Sequence, residues 1–151
     1  MATFKLFDEF GKDLHNGVHN FTSHTFRVAL TNTAPTQDTD ATLTNVTQIS
    51  AGNGYTQVAD GAGTTVSLTI AETSAGSGVW RLGTSSSDCV FTASGGSIGP
   101  FRYAVVVNDT PTSPANPLVG YLDYGSSITV TDGNTFTVDA GANGWYEYTV
   151  A

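Results

Sequence analysis

Residues 97–139 read SIGPFRYAVVVNDTPTSPANPLVGYLDYGSSITVTDGNTFTVD. Apolar and β-branched runs alternate there with Gly, Asn, Asp and Pro, the pattern of strands separated by turns. The run PFRYAVVVN at 100–108 is apolar on both faces, which predicts a central strand in a sheet covered on either side. The next segment, DTPTSPANP at 109–117, carries Pro111, Pro114 and Pro117, so it reads as a loop that does not pair and that projects from the body. Strands are expected beyond it near 118–123 and 127–131, then an Asp132-Gly133 turn of hairpin type and a strand near 134–139. No acid, base or nucleophile clusters in this stretch, so it speaks of packing and binding rather than of reaction.

The same grammar extends outward. Phe26, Val28 and Leu30 alternate with Arg27, Ala29 and Thr31, a half-buried strand. Residues 32–41 form a polar loop, and Leu43, Val46 and Ile49 are spaced for a short helical turn before the turn SAGNGY at 50–55. Further strands are expected near 64–71, 78–83 and 88–93, and Trp145–Val150 closes the chain after an Asn143-Gly144 turn. The first residues differ. Phe4, Phe7, Phe10 and Leu14 recur at helical spacing, predicting one amphipathic helix over 4–15 with Thr3 as its cap and Asn16-Gly17 as its stop. The fold class expected is all-β, an antiparallel β-sandwich or jelly-roll-like barrel with one short N-terminal amphipathic helix. No linker divides the chain, so residues 1–151 are expected to form a single β-rich domain with a helical segment at 1–17.

Bulk properties exclude several classes. Charged residues make up 12% of the chain, against about 25% in an ordinary domain, and Thr, Ser, Asn and Gly take their place. Such a surface suits extensive contact with other chains, or is simply a neutral polar coat. The net charge is −8, and the five cations (Lys5, Lys12, Arg27, Arg81, Arg102) are scattered. Binding to phosphates needs a positive patch, so nucleic acid is not expected as a partner. Cys89 is the single cysteine and sits in an apolar strand-like setting, where it reads as a small buried hydrophobe. The start MATFKLFDEFGKD lacks a signal-peptide pattern, and no apolar stretch approaches the length of a membrane span. A protein made in a cytoplasm, without a membrane partner, is expected. The sequons at Asn20, Asn45 and Asn108 follow from richness in Asn and Thr.

Chemistry-bearing residues are sparse. His15 and His19 have metal-pair spacing, but Gly17 falls between them and no carboxylate or thiol completes a shell. His24 adds a third imidazole across a turn. Asp38 and Asp40 lie in a loop without the Gly and Glu of a calcium loop. No serine has a strained elbow around it, and the glutamates Glu9, Glu72 and Glu147 are far apart. No catalytic residue, metal ligand or cofactor is assigned, and an enzyme is not expected. The aromatics Tyr55, Trp80, Phe101, Tyr103, Tyr121, Tyr124, Trp145, Tyr146 and Tyr148 are numerous for a small β domain. Core packing accounts for at least half of them, and a row of exposed rings would suit a protein interface or a carbohydrate-binding face.

The strings FKLFDEF, GVHNF, TFRVALTNTAPT, ISAGNGYT, FTASGGSIGPFRYAVVVND and GYLDYGSSITVTDGNTFTVD resemble a family of small virion structural proteins of tailed bacteriophages, across nearly the whole chain. The resemblance implies a capsid decoration (cement) protein: a β-rich module on the outside of the assembled shell. Its partners would be the major capsid protein and its own copies, as a homotrimer. No catalytic residue comes with it. The stripe Phe4, Phe7, Phe10 reads first as packing onto the chain's own sheet; in the light of the resemblance it and the loop prolines Pro111, Pro114 and Pro117 are also the candidate contact residues to other subunits or the shell. A tail or neck component and a carbohydrate-binding module are the other functional readings.

Overall fold

The computed structural model describes residues 2–59, 61–73, 76–83 and 87–150, with Glu72 described by its backbone alone. Strands β1 (Phe4–Leu6), β2 (Phe26–Thr31), β3 (Thr64–Val66), β4 (Ile70–Glu72), β5 (Val79–Leu82), β6 (Cys89–Thr92), β7 (Ile98–Asn108), β8 (Leu118–Val130), β9 (Thr135–Val138) and β10 (Tyr146–Thr149) accompany one helix, α1 (Asp8–His15). They form three sheets, in the orders β1-β8-β7-β2-β3, β10-β5-β4 and β6-β9. Every pairing is antiparallel. The fold is therefore all-β with a short N-terminal helix, as the strand-and-turn pattern predicts. Among the described residues no helix is long and apolar enough to cross a membrane.

The apolar run at 100–108 does form the central strand. On one face of β7, Ala104 and Val106 join a large core with Phe26, Val28 and Leu30 of β2. Phe91 of β6, Val138 of β9, Leu82 of β5 and Phe10 of α1 complete that core, so all three sheets and the helix contribute to it. On the other face Tyr103, Val105 and Val107 pack with Ala29, Leu118, Tyr121 and Phe7, under Leu43, Val46 and Val58 of the 32–59 region. A strand buried on both sides has no polar face to show, which is why its sequence does not alternate. The expected turn near residue 43 is present as a 3-10 turn at Leu43–Asn45.

Five expectations are corrected. The helix is shorter than 4–15, because residues 4–6 extend and pair with β8, Phe4 opposite Leu122 and Leu6 opposite Gly120. Phe7 rather than Thr3 is the N-cap, and its side chain makes no capping hydrogen bond. The edge of β8 offers those residues backbone partners that a longer helix would forgo. The expected strand 64–71 splits into β3 and β4, which belong to different sheets. The expected pair 118–123 and 127–131 is one continuous strand, β8. Asp132-Gly133 does turn the chain, but β9 then pairs with β6 and not with β8, so no hairpin forms there.

The helix stop is where the sequence puts it. The Val18 amide donates to the Asp13 carbonyl and the Gly17 amide to the Leu14 carbonyl, with Gly17 at φ 71°. This is a Schellman closure, and its left-handed residue is one that glycine adopts without a Cβ penalty.

Candidate functional site

The expected contact residues are dispersed in their exposure. Phe7 and Phe10 are 2% and 4% exposed and belong to the two cores, which selects packing onto the chain's own sheet for the aromatic stripe. Phe4 is half-buried, its ring edge-on to Trp145 at 5.3 Å. In the 109–117 loop Pro117 is buried, Pro111 half-buried and Pro114 exposed. The loop is also tied down rather than projecting freely. The Leu43 amide donates to the Asn116 carbonyl, the Leu118 amide to the Ala41 carbonyl, and Asn116 itself to the Pro111 carbonyl. Three prolines do not prevent such ties, because the flanking amides and the loop's carbonyls still bond.

The histidines do not assemble as a metal pair. His15 ends α1 exposed, its Nδ1 2.7 Å from the Gly11 carbonyl, whereas His19 is buried beyond Gly17. Among the described residues no group of three or more His, Cys, Asp or Glu is arranged to hold a metal ion. Asp40 accepts a hydrogen bond from the Thr36 amide at 2.7 Å and so serves its own loop. Glu9 pairs with Lys12 and Glu147 with Arg81, while the Glu72 side chain lies outside the described residues. Cys89 is 1% exposed, and burial pushes its thiol up to about 12, far from a reactive thiolate.

His19 and His24 instead meet at Asn108. The Asn108 side-chain nitrogen lies 3.0 Å from Nδ1 of each ring, and its oxygen accepts the Thr110 amide. With that oxygen engaged, the Asn108 side-chain nitrogen bridges the two rings. His19 stacks among Phe10, Phe21 and Phe26. Burial, then the neighbouring His24, lowers its pKa to about 4. A neutral imidazole is what this pocket tolerates, so the cluster is a buried structural polar network joining the 16–25 loop to the end of β7. Sequence spacing pointed to His15 with His19; the true partner, Asn108, is 89 residues away.

An open concavity of about 580 Å³ lies between α1 and the three-stranded sheet. Its walls include Leu14, Phe21, Ile70, Leu82, Tyr146 and Tyr148, with Asp8 and His15 on the helix side. Register explains the sheet wall. Ile70, Leu82 and Tyr146 stand opposite one another across β4, β5 and β10, so their side chains share a face. Tyr148 follows two residues on, its ring stacked near that of Tyr146 at 6.1 Å. Leu14, Ile70, Tyr146 and Tyr148 are four of the large apolar side chains left exposed, at 44%, 41%, 38% and 39%. Trp145 is buried, whereas all four residues of β10 are exposed, Glu147 as well as Tyr146 and Tyr148, so this strand has no buried face of its own. A volume of this size falls within the range of ligand pockets, and grouped exposed apolar side chains mark interaction sites.

Compared with protein-family models, with curated proteins and with solved structures, the chain matches none.

Proposed function

We propose that this chain is a structural protein of a tailed-bacteriophage virion, a capsid decoration protein that binds the outside of the assembled shell and stabilises it. The observation that carries the reading is the pairing of that long sequence resemblance with a β body whose open concavity is apolar and aromatic. Binding, not turnover, is what such a surface does. The low charge content leaves a Thr-, Ser- and Asn-rich coat that buries in symmetric contacts at little desolvation cost. About 800 Å² per partner suffices for specific attachment, and many copies on one lattice add avidity to weak single contacts. The partners in this reading are the major capsid protein and further copies of the chain, as trimers on the shell.

Quantitative mass spectrometry of purified particles tests it through the copy number relative to the major shell protein. A ratio near one to one, or a simple fraction of it, is expected. A few to some tens of copies would move the chain to the tail or neck, and absence from the particle would overturn the virion reading. Deleting residues 1–16 is not a clean test of attachment, because it removes β1 and takes Phe7 and Phe10 out of the cores.

A further inference from the structure

We propose that the groove between α1 and the β10-β5-β4 sheet receives an apolar segment of a different protein that carries a lysine or arginine beside its apolar side chains. The inference rests on the reading of the chain as a binding protein and names the chemistry its partner presents.

Charge selects this occupant. Asp8 opens the helix side of the groove, and its carboxylate enters no ion pair among the described residues. His15 lies seven residues on, about 10 Å along the helix axis. No lysine or arginine lines the groove. Four of the chain's five cations are already engaged: Lys12 by Glu9, Arg27 by Asp109, Arg81 by Glu147 and Arg102 by Asp123. An incoming cation therefore meets a carboxylate that no side-chain cation pairs, within a molecule of net charge −8.

The same facts disfavour the other occupants. A fatty acid or an anionic lipid surface would bring negative charge to Asp8 with no cation to receive it. A second copy of the chain brings another −8, with four of its own cations already paired. A sugar would find the two tyrosine rings, but beyond Tyr146 and Tyr148 hydroxyls, Asp8 and His15 the lining offers few groups to bond its hydroxyls. Apolar side chains fill a wall of Leu14, Ile70, Tyr146 and Tyr148 at no such cost.

Panning a displayed library of random peptides on the full chain tests the groove, with Tyr148→Ser, Leu14→Ser and Asp8→Lys chains as comparison baits. These positions lie outside the buried cores, and thermal melting of each variant establishes that it is folded before binding is compared; Asp8→Lys, which sets a cation at the helix N-terminus, should melt somewhat below the parent. Enriched peptides are expected to join aliphatic or aromatic residues to Lys or Arg, and to bind Tyr148→Ser and Leu14→Ser about tenfold or more weakly. On Asp8→Lys the preference for basic residues should disappear. The proposal is overturned by no enrichment, by enriched peptides that bind all three variants as well as the parent, by a preference for acidic residues, or by displacement of bound peptide with oligosaccharide. Rebinding to particles stripped of the chain separates the two readings. Parent and Tyr148→Ser rebinding alike would refute the groove and leave decoration standing. A parent that selects basic apolar peptides but is absent from particles would do the reverse.

Discussion

At the scale of single residues, His19 and the Arg27–Asp109 pair show how burial converts ordinary side chains into conditions on folding. His19 gains a proton near pH 6.5 when unfolded but only near about 4 when folded, because burial and then the neighbouring His24 disfavour its charged form. The unfolded chain thus binds more protons between those values, and stability is lost as pH falls through that window. The slope contributed is up to about 1.4 kcal/mol per pH unit. Asp13, raised first by burial and then by Glu9, contributes with the opposite sign. Comparing urea unfolding of the parent with that of His19→Gln from pH 7 to pH 4 isolates the histidine, and equal slopes would refute the assignment. Arg27 donates to Asp109 Oδ2 and to the Gly63 carbonyl, each at 2.5 Å, with side chains 12% and 3% exposed for Arg27 and Asp109. Asp109→Ala should cost about 3–5 kcal/mol in urea unfolding, since it strands a buried guanidinium. The double change Arg27→Met with Asp109→Leu should recover much of that loss.

Among the elements, β1 is where a close approach governs docking. A Cβ at Gly120 would stand 2.5 Å from the Lys5 carbonyl oxygen and 2.6 Å from Phe4 Cζ. Gly120→Ala should therefore destabilise the protein by about 1–3 kcal/mol. Amide hydrogen exchange should quicken in β1 before it does in β2 or β7, and unaltered protection across residues 4–6 would contradict this docking. The expected helix over 4–15 misses this strand for a clear reason. Phe4, Phe7 and Phe10 are spaced for a helix, but the same spacing also lets Phe4 cover Gly120 from a strand and Phe7 enter the second core from a cap position. Periodicity records which residues are buried; it does not record which backbone buries them.

For the whole molecule, the charge imbalance has a measurable consequence. Attachment to a basic partner through a surface of net charge −8 should weaken as ionic strength rises, mostly through a slower on-rate. Binding kinetics on immobilised particles at about 50 mM and about 500 mM salt read this directly, a range over which the screening length falls to a few ångströms. Salt-independent association would count against electrostatic steering and leave apolar contact as the sole attraction.

Local chemistry in the sequence was enough for the all-β class, the central strand at 100–108 and the closure of the helix at Gly17. Each depends on neighbours in sequence: a run without alternation, a left-handed residue, a period of two. Tertiary structure alone decided which strands pair, that 64–71 divides between two sheets, and that β9 leaves its apparent hairpin for β6. It also decided that His19 meets Asn108, and that Leu14, Ile70, Tyr146 and Tyr148 share one groove. Those outcomes depend on contacts between residues tens of positions apart, whose free energies no local window contains.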